Sequence, residues 1–249
     1  MKILHSNIMK TGKKLLLIVP FLFLGCDPDY LTQGEIVQGL KSALEVGTDY
    51  ALKTLGKEDG FLLDQAVKIG LPEDAAKFLK QAATVPIVND LVKGLEDQLI
   101  LTINRAAEVA VQDVVPIFLD AITDITIEDA KTILFSSNDY AATHYLKSKT
   151  YNKLSETCIS IIQDALNKKI VGIVSAQEVW GNLMTVHNRA AQLVPLLNWE
   201  PIDPDLSQYT TQKALDGVFL KIGDEEQKIR TDVNARVNDI LRKVFGQLD

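Results

Sequence analysis

From Thr32 onward, apolar side chains return every three to four positions and almost nowhere alternate. A period near 3.6 is the signature of helices that bury one face, whereas half-buried strands need a period of two. The pattern therefore restricts this chain to an all-α fold. No Gly/Pro/Ser-rich linker divides it, so the expectation is one domain of about eight to ten helices, mostly antiparallel neighbours.

The boundaries follow from local chemistry. Thr32 and Glu35 form a capping box ahead of Ile36, Leu40, Ala43, Leu44, Tyr50, Ala51 and Leu55, and Gly56 ends that helix. Lys57–Gly60 reads as a loop, and Phe61 to Leu71 as irregular chain with one helical turn. Pro72-Glu73-Asp74 opens the next helix, with proline and acids where the helix dipole favours them. A long helix is expected from Asn89 to about Asp113, with Val92, Leu95, Leu99, Ile103, Ala106 and Ala110 as its core stripe. Thr126 and Asp129 cap a segment through Leu134, Asp139–Lys168 is helical with a bend near Thr150, and Ser175 caps a helix to Gln192. Pro201 and Pro204 mark a crossing loop, and helices over Ser207–Arg230 and Asn234–Phe245 finish the chain, with Gly246 closing. Val-Pro recurs at Val85, Val115 and Val194, but unequal spacing and different flanks make these helix breaks rather than a repeat.

The first residues follow another logic. Lys2, Lys10, Lys13 and Lys14 precede the apolar run Leu15–Leu24, which is too short to span a bilayer and contains Pro20. Gly25-Cys26 then meets Asp27-Pro28-Asp29. This junction resembles the lipobox of bacterial lipoproteins, although Phe23 stands where leucine is usual. The resemblance implies a signal peptide over 1–25, lipidation at Cys26, a tether over 26–31 and a folded domain over 32–249. That tether reaches only roughly 15–20 Å when extended. Asp27 resembles an inner-membrane retention signal of enteric bacteria, which other lineages read differently, so the choice of membrane stays open.

Removing 1–25 takes away four lysines and no acid, leaving 22 bases against 33 acids, net −11. That balance argues against nucleic acid and against a basic membrane-docking surface. Cys158, the other cysteine besides Cys26, lies on the stripe Leu154, Cys158, Ile161, Ile162, Ala165 and reads as a core thiol.

No Gly-x-Ser-x-Gly, His-Glu-x-x-His, Cys-x-x-Cys, Walker loop or Gly-x-Gly-x-x-Gly occurs. His144 and His187 lie on different expected helices, so no metal site and no cofactor is expected. Asp224-Glu225-Glu226 with Lys221, Lys228 and Arg230 has the spacing of a solvated, self-paired helix face, pairing Lys221 with Glu225 and Glu226 with Arg230. Asn104, Arg105 and Glu108 share a turn of the central helix. If they face inward they form a polar network needing partners, for which Asp216 and Arg230 are candidates; such a network fixes packing or lines a pocket. Gly217 and Gly223 inside a helical pattern point to close helix packing.

Seven segments, read together, resemble a known family. They are Gly39-Leu40-Lys41-x-Ala43-Leu44-x-Val46-Gly47-Thr48, Asp59-Gly60-Phe61-Leu62, Asn104-Arg105-Ala106-Ala107-Glu108, Ala141-Ala142-Thr143-x-Tyr145, Lys213-Ala214-Leu215-Asp216-Gly217-Val218-Phe219, Glu225-Glu226-x-Lys228-Ile229-Arg230 and Val244-Phe245-Gly246. The set is similar to the bacterial lipoprotein family catalogued as "domain of unknown function 4197", in order and over nearly all of the mature chain. Thr-Asp-Val after Arg230 departs from it where a proline-containing turn is commoner. The resemblance implies a secreted or lipid-anchored envelope protein of one helical domain. It offers no catalytic residues to carry over, but it draws attention to Asn104, Arg105, Glu108, Thr143, Asp216, Glu225, Glu226 and Arg230.

Three functions compete. The first is a non-catalytic envelope module, held to a membrane by its lipid, that binds an envelope partner. The second is a carrier of an apolar molecule such as a lipid, which a fully packed interior would oppose. The third is an enzyme built on Asn104, Arg105 and Glu108 with Glu225 or Arg230, which requires these residues to converge on one pocket.

Overall fold

Thr32 starts the first helix as its spacing predicts. Its hydroxyl accepts from the Glu35 N–H and the Glu35 carboxylate accepts from the Thr32 N–H. The computed structural model describes residues 31–124 and 126–249, so the expected signal segment, Cys26 and all but the last residue of the tether lie outside the described residues. Among the described residues there are nine α-helices and three short 3-10 turns, and no strand. The helices are α1 (Gln33–Leu55), α2 (Glu73–Ala82), α3 (Pro86–Val92), α4 (Leu95–Asp124), α5 (Ala130–Leu134), α6 (Ala141–Asn167), α7 (Ala176–Leu193), α8 (Leu206–Thr231) and α9 (Asp239–Phe245).

The spine is α4, whose 30 residues make a rod about 45 Å long. It starts later and ends later than its expected span. Gly94 sits at φ +75°, a left-handed conformation that glycine adopts without strain, and it separates α3 from α4. At the other end Pro116 lies inside α4 instead of breaking it. Proline costs the helix one N–H bond, but Val114, Phe118 and Ile122 on either side of it are buried and hold the rod together. Pro86 and Pro195 do stand at first helical positions.

The second half of α4 carries α1, α6 and α8. Gln112 bonds the Gly56 carbonyl and Lys41 bonds the Thr123 carbonyl, so α1 runs antiparallel to α4. The first half carries α7, with α2 and α3 against it; Phe78 of α2 meets His187 edge-on at 4.9 Å and Trp199 at 5.1 Å. The core is continuous through both halves. The hollow between α4, α6 and α8, lined by Val114, Cys158, Ile162 and Leu215, measures about 10 Å³, room for at most one water.

Three further differences have local causes. The last helix begins at Asp239 rather than Asn234, because Asp232 caps the Asn234 N–H into a separate 3-10 turn and Asn238 caps α9. The Asp129 side chain makes no capping bond at α5. Residues 61–71 contain turns but no helix; Asp64 pairs the backbone of 66–68 locally, and α4 pairs that of Phe61, Leu62 and Ile69.

Candidate functional site

The connection from α1 to α2, residues 56–72, has no secondary structure to pair its backbone, yet Phe61, Val67 and Ile69 are buried. Buried backbone groups demand partners, and α4 supplies them. Glu108 Oε1 accepts from the N–H groups of Phe61 (3.1 Å) and Leu62 (3.2 Å). Asn104 accepts from the Ile69 N–H (2.9 Å) and donates to the Ile69 carbonyl (2.8 Å), imitating one rung of a sheet. Its second amide hydrogen goes to the Ile100 carbonyl at 2.7 Å.

Arg105 completes this latch. It bonds Glu108 Oε2 at 2.6 Å and Asp59 at 2.7 Å. Burial opposes the guanidinium charge, but the bonds from Glu108 and Asp59 outweigh it and raise the Arg105 pKa. Asp59 itself adopts φ +67°, which aspartate tolerates better than most residues. A Cβ on Gly60 would stand 2.5 Å from the Leu55 carbonyl oxygen, and one on Gly217 would stand 3.0 Å from the Phe61 ring. Asp59-Gly60-Phe61-Leu62 is thus a plug seated between α1, α4 and α8. Lys221 of α8 holds the same segment through Asp64 at 2.7 Å, so Lys221 does not make the expected pair with Glu225.

A second buried cluster joins α5, α6 and α8. Glu226 accepts from the N–H groups of Ala142 (2.9 Å) and Thr143 (2.7 Å), from the Thr143 hydroxyl (2.7 Å) and from Arg230 Nε (2.8 Å). Arg230 donates onward to the carbonyls of Leu134 (2.8 Å) and Ile133 (3.0 Å). Helix ends leave N–H groups at the start and carbonyls at the finish without partners. Here one ion pair on α8 supplies a carboxylate to the start of α6 and a guanidinium to the end of α5, each matched to the local dipole. Tyr140 at the α6 N-cap makes no capping bond of its own. The approach needs Gly223, whose Cβ would lie 2.4 Å from Tyr140 Cδ1. The expected solvated face therefore fails for Glu226 and Arg230, both of which are buried.

Arg236 repeats the device. Its buried guanidinium donates to the carbonyls of Ile229 and Arg230, the last turn of α8, and binds both Asp249 side-chain oxygens at 2.7 and 2.8 Å. Sequence reasoning missed Arg236, the pairing of Asp59 with Arg105 and the pairing of Lys221 with Asp64. The one available signal for Arg236 was a lone arginine just beyond a helix C-terminus.

The remaining candidates lie apart. Asp216 pairs with Lys147 at 2.6 Å on the surface and, after burial, is the main influence pushing the Tyr151 hydroxyl up to about 12. Glu225 pairs with Lys228 at 2.8 Å. It borders an open groove of about 950 Å³ along α1, with Val46, Tyr50, Leu119 and Val237. None of the other seven candidates lines any of the five principal hollows. Asn104, Arg105 and Glu108 meet the 56–72 segment rather than Asp216 or Arg230.

Other chemistry is sparse. Burial pushes the Cys158 thiol up to about 11, which keeps it protonated at neutral pH. His144 faces Asn138 and His187 faces the Glu200 carbonyl, and no cluster among the described residues has the makings of a metal site. No described helix is long and apolar enough to cross a membrane.

No curated protein and no solved structure gives a significant match to this chain. A family profile does match, over residues 30–246. That span contains both clusters, and the segments carrying the resemblance hold the polar side chains Asp59, Asn104, Arg105, Glu108, Thr143, Glu226 and Arg230. The chain belongs to the family described as "Protein of unknown function (DUF4197)".

Proposed function

We propose that this protein is a non-catalytic helical module of the bacterial cell envelope, lipid-anchored through Cys26 and acting by binding a partner there. One observation carries the non-catalytic part. The polar side chains best placed for chemistry, Asn104, Arg105, Glu108, Glu226 and Arg230, spend their hydrogen bonds on backbone groups of neighbouring segments and on each other. Groups so engaged hold segments of the fold together rather than converging on an open hollow. The anchor is read from the basic, then apolar, N-terminal run that ends at Gly25-Cys26. The small interior hollow lends the lipid-carrier alternative no support. For a partner, the groove along α1 presents apolar Val46, Tyr50, Leu119 and Val237 between charged rims.

Metabolic labelling of the full chain with an alkyne fatty acid, beside Cys26→Ser, tests the anchor. The expected result is label and membrane sedimentation in the parent and loss of both in the variant. An unlabelled, freely soluble parent would overturn the reading. For the module itself, Arg105→Ala is expected to lower the melting temperature. A variant that keeps its melting temperature but loses its cellular phenotype would instead mark Arg105 as part of a site.

A further inference from the structure

Two groups of exposed apolar side chains lie on different parts of the fold. The turn after α7 exposes Leu193, Leu196 and Leu197, with Leu196 96% exposed. Beyond the C-terminal end of α4 stand Phe135, 56% exposed, and Val233, 57% exposed. These two flank one junction. Arg230 holds the Ile133 and Leu134 carbonyls just before Phe135, and Arg236 holds the Arg230 carbonyl just before Val233.

The domain begins at that same end. The Gln33 side chain reaches the Glu128 carbonyl at 3.4 Å, in the turn before α5, and Glu35 pairs with Lys243 of α9. From Glu128 to Phe135 the chain covers roughly 15 Å at most, since five of those residues are the helix α5. From Cys26 to Leu31 an extended chain reaches roughly 15–20 Å.

We propose that Phe135 and Val233 form an edge that rests in the interfacial layer of the lipid surface carrying the Cys26 anchor, with the Leu193–Leu197 turn held away in water. This inference rests on the lipid-anchor reading above. The tether is its warrant: it keeps the bilayer at the end of the domain where Gln33 meets Glu128, in the turn that leads through α5 to Phe135. The Leu196 turn follows α7, whose principal helix neighbours are α3, α4 and α6 rather than α5 or α9. A chain this acidic has no electrostatic hold on anionic lipid, so the contact is apolar and does not require charged headgroups.

The test uses the full acylated chain in phosphatidylcholine vesicles, with single substitutions Phe135→Cys, Val233→Cys and Leu196→Cys carrying an environment-sensitive fluorophore. Acylation occupies Cys26 and burial protects Cys158, so labelling is confined to the introduced thiol. All three positions are exposed, and the substitutions leave the fold intact. The expected result is blue-shifted emission at 135 and 233, quenched by spin-labelled lipid, and water-like emission at 196. Water-like emission at 135 and 233 in vesicle-bound, acylated protein would overturn the proposed edge while leaving the anchor standing. Quenching at all three positions would mean a domain lying on its side and would also overturn it. An intact mass without acyl chains, with no flotation on vesicles, would remove the anchor reading and this inference together.

Discussion

Replacing Glu226 by alanine strands two backbone N–H groups, a hydroxyl and a guanidinium in the interior. Breaking a buried pair from one side leaves an uncompensated charge, so Glu226→Ala is expected to cost about 3–5 kcal/mol in urea unfolding. Asn104 gives a subtler test. Asn104→Asp keeps the shape and the acceptor for Ile69 N–H but turns a second oxygen towards the Ile69 and Ile100 carbonyls. It is expected to lose at least about 2 kcal/mol, as much as Asn104→Ala. Equal stability of Asn104→Asp and the parent would show that the amide is not what holds the segment.

The helix end-joints respond to pH at the scale of elements. Lys243 of α9 and the Thr32 backbone and hydroxyl hold the Glu35 carboxyl down to about 2 from an ordinary 4.5. A lowered pKa means that the folded state favours the charged form. The stabilisation is complete above about 4.5 and disappears as the pH falls towards 2. Glu35→Gln keeps a capping-box acceptor but loses the pair with Lys243. Its melting temperature is expected to lie below the parent's at neutral pH and to converge with it in acid.

Elements were legible in the sequence where one local signal decides them. Thr32 with Glu35 is a capping box in sequence and in structure, and Ser175 caps α7 as expected, with Glu178 completing a second box, because a cap needs only residues three apart. The stripe through Leu99, Ile103, Ala106 and Ala110 is buried as its spacing requires. Extension of α4 through Pro116 was not legible, because packing by Phe118 and Ile122 outweighs a local breaker. The candidate cluster was half legible: Arg105 with Glu108 follows from their spacing, but their partners Asp59, Phe61 and Leu62 lie 46 or 47 positions away. Nothing in the spacing of Glu226 and Arg230 shows that they face inward. Their burial depends on helix ends supplied by other parts of the chain.

For the whole molecule, the two halves differ in how they are held. The half built from α1, α6 and α8 around the end of α4 is tied by ionic joints on buried arginines, Arg230 with Glu226 and Arg236 with Asp249. The α2–α3 pair rests on rings and on surface bonds such as Asp74 with the Asp203 N–H. Hydrogen exchange is expected to find amides of Thr102–Val114 opening only with global unfolding, and those of α2 and α3 opening earlier as a local unit. Equal protection in both would show one cooperative body without this gradation.

The joint at Glu226 and Arg230 has a consequence for how the chain comes into being. The helix ends it closes were made 83 to 97 residues earlier. A polypeptide delivered from its N-terminus can form α5 and α6 in outline, but their loose ends wait until α8 arrives. The structure is therefore completed late and from its tail. A product cut short before residue 226 keeps seven of its nine helices and cannot fasten two of them, which makes an unfinished copy physically different from a finished one.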